Sequence, residues 1–294
     1  MKTYGDYLSS IFPDFKVQKI SVNAGFTCPN RDGSISTEGC IYCRNDSFSP
    51  GYCDASLPVK LQLEKGKQFF SRKYPEMKFL AYFQSFTGTY GKPVDELEKL
   101  YEEALSVKDV VGLVIGTRPD CISEPVIDLL QKINQKKPVI VEIGAESSHC
   151  ETLTKINRNH NWDVVENTVR KLSKIGIHIG LHLIVGLPGE TFEMVLQTID
   201  NVIKLPIETI KLHQLQVLKG TPLLKKIEAG ILSVPEFSLD EYVHLCAEIV
   251  KRVPDNIVIE RFLAQSPPDL VVTPSWGLKN YQFMSKLERI IDAD

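Results

Sequence analysis

Short apolar runs alternate with amphipathic stretches along most of this chain, and that alternation limits the folds open to it. Segments 17–22, 78–83, 110–115, 138–143, 177–185, 208–217 and 257–262 are rich in Val, Ile, Leu and aromatic residues, as buried strands are. Between them apolar residues recur at helical spacing. Leu97, Leu100, Tyr101 and Ala104 follow Pro93, which a helix tolerates in its first turn. Trp162, Val165, Val169, Leu172 and Ile175 form a second stripe, and Leu196, Ile199 and Ile203 a third. Segments 124–136 and 239–251 also read as helices, and 276–294 as a closing one. Parallel neighbours need a crossover connection, usually a helix, so this order predicts a parallel sheet. Six or so βα units give an α/β fold, a partial (β/α)6 barrel over residues 1–235, with 236–294 as a C-terminal helical extension packed on it. In such barrels the functional loops follow the C-terminal ends of the strands.

The chain has 294 residues, 43% of them hydrophobic, enough for a sizeable core. A net charge of −3 gives no global basic field, so any nucleic-acid binding must come from a local patch. Two basic stretches qualify: Lys60, Lys65, Lys67, Arg72, Lys73 and Lys78, and Lys155, Arg158, Arg170, Lys171 and Lys174. Solvated helix faces would look the same. The first residues lack the apolar run of a signal peptide, and no stretch reaches the ~18–20 apolar residues of a membrane span, so a cytoplasmic protein is expected. Seven cysteines in a reducing compartment point to metal or catalysis before disulfides.

Three of them lie in one loop after the first strand, Cys28-Pro-Asn-Arg-Asp-Gly-Ser-Ile-Ser-Thr-Glu-Gly-Cys40-Ile-Tyr-Cys43. Three thiolates can hold three irons of a [4Fe–4S] cluster and leave the fourth iron open to an exchangeable ligand. Structural zinc is the alternative, but it usually takes four ligands, often as two Cys-x-x-Cys pairs. Only one such pair exists here, and the nearby Cys53 lies beyond Pro50-Gly51. Cys121, Cys150 and Cys246 sit in or beside apolar segments and read as buried small hydrophobes.

The loop and the motifs after it resemble the radical S-adenosylmethionine (SAM) superfamily. The long gap between Cys28 and Cys40 is similar to that near the elongator catalytic subunit and in the YhcC/YtqA-like subgroup, and Tyr42 fits the aromatic that precedes the last cluster cysteine. The second strand leads into Tyr82-Phe-Gln-Ser-Phe-Thr-Gly-Thr-Tyr-Gly91, in the place of the family's glycine-rich motif; by resemblance Gln84, Thr87, Gly88 and Thr89 lie at the SAM amino group. Gly116-Thr-Arg-Pro-Asp120 is similar to an elongator-type motif, with Gly116 where those enzymes usually carry a glutamate. Glu146 and Arg158 match residues that hold the SAM ribose and carboxylate in coproporphyrinogen-oxidase-like members. His182-Leu-Ile-Val-Gly-Leu-Pro-Gly-Glu-Thr191 is similar to a frequent signature that places Gly186 near adenine. His182 stands where relatives often have an acid, as a catalytic or SAM-contacting residue. His213 is a second catalytic candidate, facing the lumen if Leu212 faces the helices. The tail from Asp269 to Asn280 resembles the YhcC/YtqA-like subgroup specifically.

The resemblance implies a TIM-like barrel of the radical SAM type with a [4Fe–4S] cluster on Cys28, Cys40 and Cys43. It implies SAM as cofactor, reductive SAM cleavage, and hydrogen abstraction by a 5′-deoxyadenosyl radical. An electron donor such as flavodoxin or ferredoxin is then required. The implied substrate is the C5 side chain of tRNA wobble uridine, remodelled from carboxymethylaminomethyl to aminomethyl, with the anticodon region as partner. Tyr90, Phe86 and Trp276 are candidates to stack on extruded bases. A small metabolite or a tetrapyrrole is an alternative substrate, and a zinc-stabilised binding protein is an alternative to an enzyme.

Overall fold

The computed structural model describes residues 2–71 and 76–292. Nine strands and ten α-helices are assigned among them, with two short 3-10 turns. The strands are β1 (Val17–Val22), β2 (Lys78–Phe83), β3 (Val110–Thr117), β4 (Val139–Glu146), β5 (His178–Val185), β6 (Thr209–Gln214), β7 (Val217–Leu218), β8 (Val258–Arg261) and β9 (Val271–Thr273). The helices are α1 (Tyr4–Ile11), α2 (Val59–Ser71), α3 (Val94–Ser106), α4 (Glu124–Asn134), α5 (Cys150–Lys155), α6 (Trp162–Lys174), α7 (Phe192–Val202), α8 (Pro222–Glu228), α9 (Leu239–Arg252) and α10 (Asn280–Ile291). Polar side chains set several helix starts: Asn161, Thr191, Thr221 and Ser238 each accept from a backbone N–H in the following turn.

Seven strands form one parallel sheet in the order β1-β2-β3-β4-β5-β6-β8. The six expected βα units are present, and the seventh strand comes from the segment read as the C-terminal extension. The sheet curls into a half-barrel, so its first and last strands approach: Lys19 of β1 pairs with Glu260 of β8 across the lumen. The expected sixth strand, 208–217, splits. After Gln214 the Leu215 N–H bonds to Val185 O, and Val217–Leu218 instead pairs antiparallel with β9. The closing helix starts at Asn280 rather than 276; Trp276 precedes it and packs on Tyr242, ring centroids 5.0 Å apart.

Alternation along the strands divides two environments. Val139, Val141, Ile143 and Ala145 of β4 face the helices with Ile210 and Leu212 of β6 in the main core. Ile140 faces inward, with Leu80, Val114 and Val258, onto Tyr7, Leu8 and Phe12 in and just after α1. Helix α1 therefore plugs the N-terminal end of the lumen. Above this apolar plug the inward positions become charged, then open. Gly112 lets β3 approach its neighbours: a Cβ there would lie 2.6 Å from Pro138 O. Among the described residues no helix is long and apolar enough to cross a membrane.

Candidate active site

At the C-terminal ends of the strands lies a cavity of about 260 Å³. Cys28, Cys40 and Cys43 all line it, together with Arg158, His182 and His213. The cysteine loop is held from below by asparagines. Buried Asn30 accepts from Asn159 Nδ2 at 2.6 Å and donates to the Asn157 carbonyl, while Asn157 Nδ2 donates to Gly39 O at 2.7 Å. Asn157 and Asn159 both have left-handed backbone, φ 56° and 59°, which asparagine adopts more readily than most residues. The Cys40 sulfur accepts from Asn30 Nδ2 at 3.4 Å and from Arg158 Nη1 at 3.7 Å. Arg118, 2% exposed, packs behind and donates to the Arg158 carbonyl at 2.8 Å. Burial, with Cys40 beside it, pushes the Cys43 thiol up to about 11.

Arg158 is not on a solvated helix face; it is 6% exposed, its Nη2 donating to Gly144 O at 2.5 Å and lying 3.4 Å from Glu146 Oε1. Its Nε and the Nη1 of Arg118 are buried without a hydrogen-bond partner. Glu146 adopts φ 66°, where a register shift interrupts β4. Such strain costs ~1–3 kcal/mol and clusters at functional sites.

The cavity floor is an ionic layer that sequence reading missed. Glu142 pairs with Lys19 and, at 3.1 Å, with Lys211; Glu260 pairs with Lys19 at 2.9 Å and with Lys211 at 3.2 Å. Tyr82 OH donates to Glu142 at 2.5 Å. Burial alone would raise the Glu142 pKa, but Lys19 and Lys211 hold it well below the usual carboxylate range. Burial lowers Lys211, whereas at Lys19 the same two carboxylates outweigh burial and keep the ammonium well above its usual value. Two ammoniums face two carboxylates, so the set is ionised and balanced at neutral pH. The signal was a charge within each apolar strand, at lumen-facing alternation: Lys19, Glu142, Lys211 and Glu260.

Above this floor His213 faces the lumen, as its alternation with Leu212 predicts. His182 Nε2 lies 2.8 Å from Glu142 Oε2, and the rings of His182 and His213 are 5.3 Å apart. Burial, then Lys211, lowers the His182 pKa; burial, then Arg261, holds His213 well below its usual value. Both rings are neutral at neutral pH. A carboxylate only accepts, so the His182 hydrogen sits on Nε2 and leaves Nδ1 as an acceptor.

The family model described as "Radical SAM superfamily" matches residues 27–202, and the one described as "Radical_SAM C-terminal domain" matches residues 207–292. The chain belongs to the radical SAM superfamily. YtqA of Bacillus subtilis is 34% identical over 277 residues, 94% of this chain and 85% of the relative. YhcC of Escherichia coli K12 is 34% identical over 278 residues, 94% of this chain and 88% of the relative. A Methanocaldococcus infernus "tRNA uridine(34) acetyltransferase" is 28% identical over 202 residues, 66% of this chain and 36% of the relative. The solved structure of M. infernus Elp3 shares the fold, with TM-score 0.72 and 17% identity, over 95% of this chain and 63% of that one. This radical SAM chain is thus an enzyme of the YhcC-like group with the fold of Elp3, and its cofactors are a [4Fe–4S] cluster and SAM.

The residues present fit that pair: three thiols on one cavity, with two buried arginine nitrogens beside them that still lack an acceptor. Among the described residues no three His, Cys, Asp or Glu side chains close round a single metal ion. Cys53 does not line the cavity; its thiol donates to Ser21 O at 2.9 Å. Cys121 and Cys246 are buried as expected, but Cys150 is exposed, because it opens the short helix α5 at the surface.

Tyr42, Gln84, Thr87, Gly116 and Glu146 line the cavity. Gly88 and Thr89 sit behind it. The Gly88 N–H bonds to Gly116 O at 2.8 Å, and Thr89 Oγ1 lies 2.6 Å from Thr117 Oγ1. Gly186 lines a neighbouring cavity with Phe237 and Trp276 instead. Phe86 is exposed at the rim of the first cavity, and Tyr90 OH donates to Ser34. Within the basic stretches Lys78 pairs with Asp109 and Lys171 with Glu124, both at 2.5 Å, and Arg72 and Lys73 lie outside the described residues.

Proposed function

We propose that Cys28, Cys40 and Cys43 hold the cluster, that SAM lies between it and the His182–His213 layer, and that the substrate is the C5 side chain of tRNA wobble uridine. The convergence of the three cysteines with Arg158 and Glu146 on one cavity carries the first two assignments. Bound together, cluster and SAM supply a radical able to take hydrogen from an unactivated carbon. The chain's own part is to bind, orient and keep water out. Arg158 offers a guanidinium fork to the SAM carboxylate, for which its orphan Nε is poised. Glu146 accepts from ribose hydroxyls, Tyr42, Gln84 and Thr87 line the approach, and Gly88, Thr89 and Gly186 shape the turns behind it. His182, neutral and fixed by Glu142, presents an acceptor to whatever lies above.

The substrate reading is supported by the likeness to the M. infernus tRNA uridine(34) acetyltransferase and by exposed Phe86 at the rim, a platform for an extruded base. The change proposed is carboxymethylaminomethyl to aminomethyl: hydrogen is taken from the carboxymethyl carbon, that carbon is oxidised to the imine level with SAM consumed as the two-electron oxidant, and water then splits the C–N bond, leaving the aminomethyl group and releasing glyoxylate. In this reading the enzyme works in the cytoplasm with a flavodoxin- or ferredoxin-like reductant. The test compares tRNA nucleosides from a deletion strain and its parent. Accumulation of 5-carboxymethylaminomethyluridine at the expense of 5-aminomethyluridine is expected; identical nucleosides would overturn the substrate.

A further inference from the structure

Arg261, at the inner wall of the cavity, has no anion of its own. Arg261 ends β8, and among the described residues no carboxylate pairs with it. Its Nη2 lies 2.9 Å from His213 Nδ1, and its Nε is buried with no hydrogen-bond partner. The two buried cavity arginines each have a carboxylate beside them: Arg118 has Asp120 at 2.8 Å, and Arg158 has Glu146 at 3.4 Å. The ionic floor offers Arg261 no charge either, since Lys19 and Lys211 already balance Glu142 and Glu260.

The strand is shaped to put it there. β6 and β8 pair Thr209 with Val258 and Ile210 with Ile259, but then Lys211 with Arg261. A regular ladder would set Glu260 opposite Lys211 and turn Arg261 outward. The bulge instead sends both Glu260 and Arg261 inward, one into the floor and the other up towards His213. Bulges recur beside active sites, where they re-aim a side chain. His213 is a neutral base here, so it accepts from the guanidinium and cannot cancel its charge. Arg261 is half-buried, and a partly desolvated cation without a partner carries a cost that an arriving anion relieves.

We propose that Arg261 anchors an anionic group of the substrate, a carboxylate or a phosphate, beside His213 in the cavity. The proposal rests on the reading of this cavity as the substrate site, and deepens it by naming the substrate's charge. His213 holds the fork in place, leaving Nε and the remaining guanidinium hydrogens to grip two oxygens. The carboxymethylaminomethyl side chain carries a carboxylate, and RNA also carries phosphate.

The test measures binding to the anaerobic, SAM-loaded holoenzyme with three probes. These are 5-carboxymethylaminomethyluridine (carboxylate), uridine 5′-monophosphate (phosphate) and 5-aminomethyluridine (no anion). The wild type is expected to prefer one anionic probe over 5-aminomethyluridine, and which one identifies the source of the anion. In R261Q that preference should fall about tenfold or more, with R261K, which keeps charge but not the fork, between the two. R261Q should melt no lower than the wild type, because it deletes a half-buried charge that no carboxylate offsets; a purely structural arginine would leave a less stable protein. Equal affinity of R261Q and wild type for the preferred probe overturns the proposal, as does no preference for either anion. Should R261Q lose iron, the same comparison in R261K decides. If the anion preference holds while tRNA nucleosides are unchanged in the deletion strain, the wobble-uridine reading falls and the anchor stands. If R261Q converts tRNA at the wild-type rate, the anchor falls alone.

Discussion

Replacing Glu142 by Gln tests the ionic floor directly. Glu142 is 2% exposed and is met by Lys19, Lys211, Tyr82 and His182. The amide keeps the size and some of the hydrogen bonds, but leaves two buried ammoniums against the single carboxylate of Glu260. Removing one partner of a buried ion pair costs about 3–5 kcal/mol, and the retained bonds place E142Q near the lower figure, about 3 kcal/mol. For a chain of this size that lowers the melting midpoint by roughly 6–12 °C, read by far-UV circular dichroism under anaerobic conditions. The pH dependence has a definite sign. The folded-state pKa of Glu142 lies well below its ordinary value. Its stabilisation is therefore complete above the unfolded value of about 4.3 and is lost as pH falls through the lower folded value. The gap between wild type and E142Q should stay flat from neutral pH down to about 5 and narrow in more acid buffer. The double variant E142Q/K211M, which removes one charge of each sign, should recover part of the loss. A midpoint for E142Q within about 2 °C of wild type at pH 7 would refute the reasoning.

Three further outcomes are expected. C40A should lose the cluster, read as iron falling from about four per chain, and with it SAM cleavage; normal iron and 5′-deoxyadenosine would contradict this. R158A should retain iron while its SAM dissociation constant rises about 10–100-fold, the worth of a charge-assisted fork, by equilibrium dialysis. G112A should be destabilised by about 1–3 kcal/mol in a denaturant titration with iron content unchanged, since its Cβ would meet the Pro138 carbonyl oxygen at 2.6 Å; unchanged stability would mean β3 and β4 can move apart freely.

Much of the site was legible because the signals are local. The loop from Cys28 to Cys43 and the strand alternation that turns His213 inward can each be read from neighbours in sequence, whereas Arg158 was singled out by resemblance alone. Other features were not legible, also for local reasons. Gly186 sits on a turn, and a turn does not disclose which of two adjacent cavities it borders. Trp276 looked like the start of a helix, but Gly277, at φ 63°, separates it from Asn280.

The sequence alone determined the order of strands and helices, the face each strand turns inward, and three thiols near the end of the first strand. These follow from periods of two and of 3.6 residues, which the chain sets within a few positions of itself. Only the tertiary structure decided that Lys19 meets Glu260, 241 residues away, that Asn30 clasps the loop at 157–159, and that a bulge leaves Arg261 facing the cavity without an anion. Those pairings depend on how far the sheet curls and where its ladder slips, and both are set by packing among all seven strands rather than by any one segment.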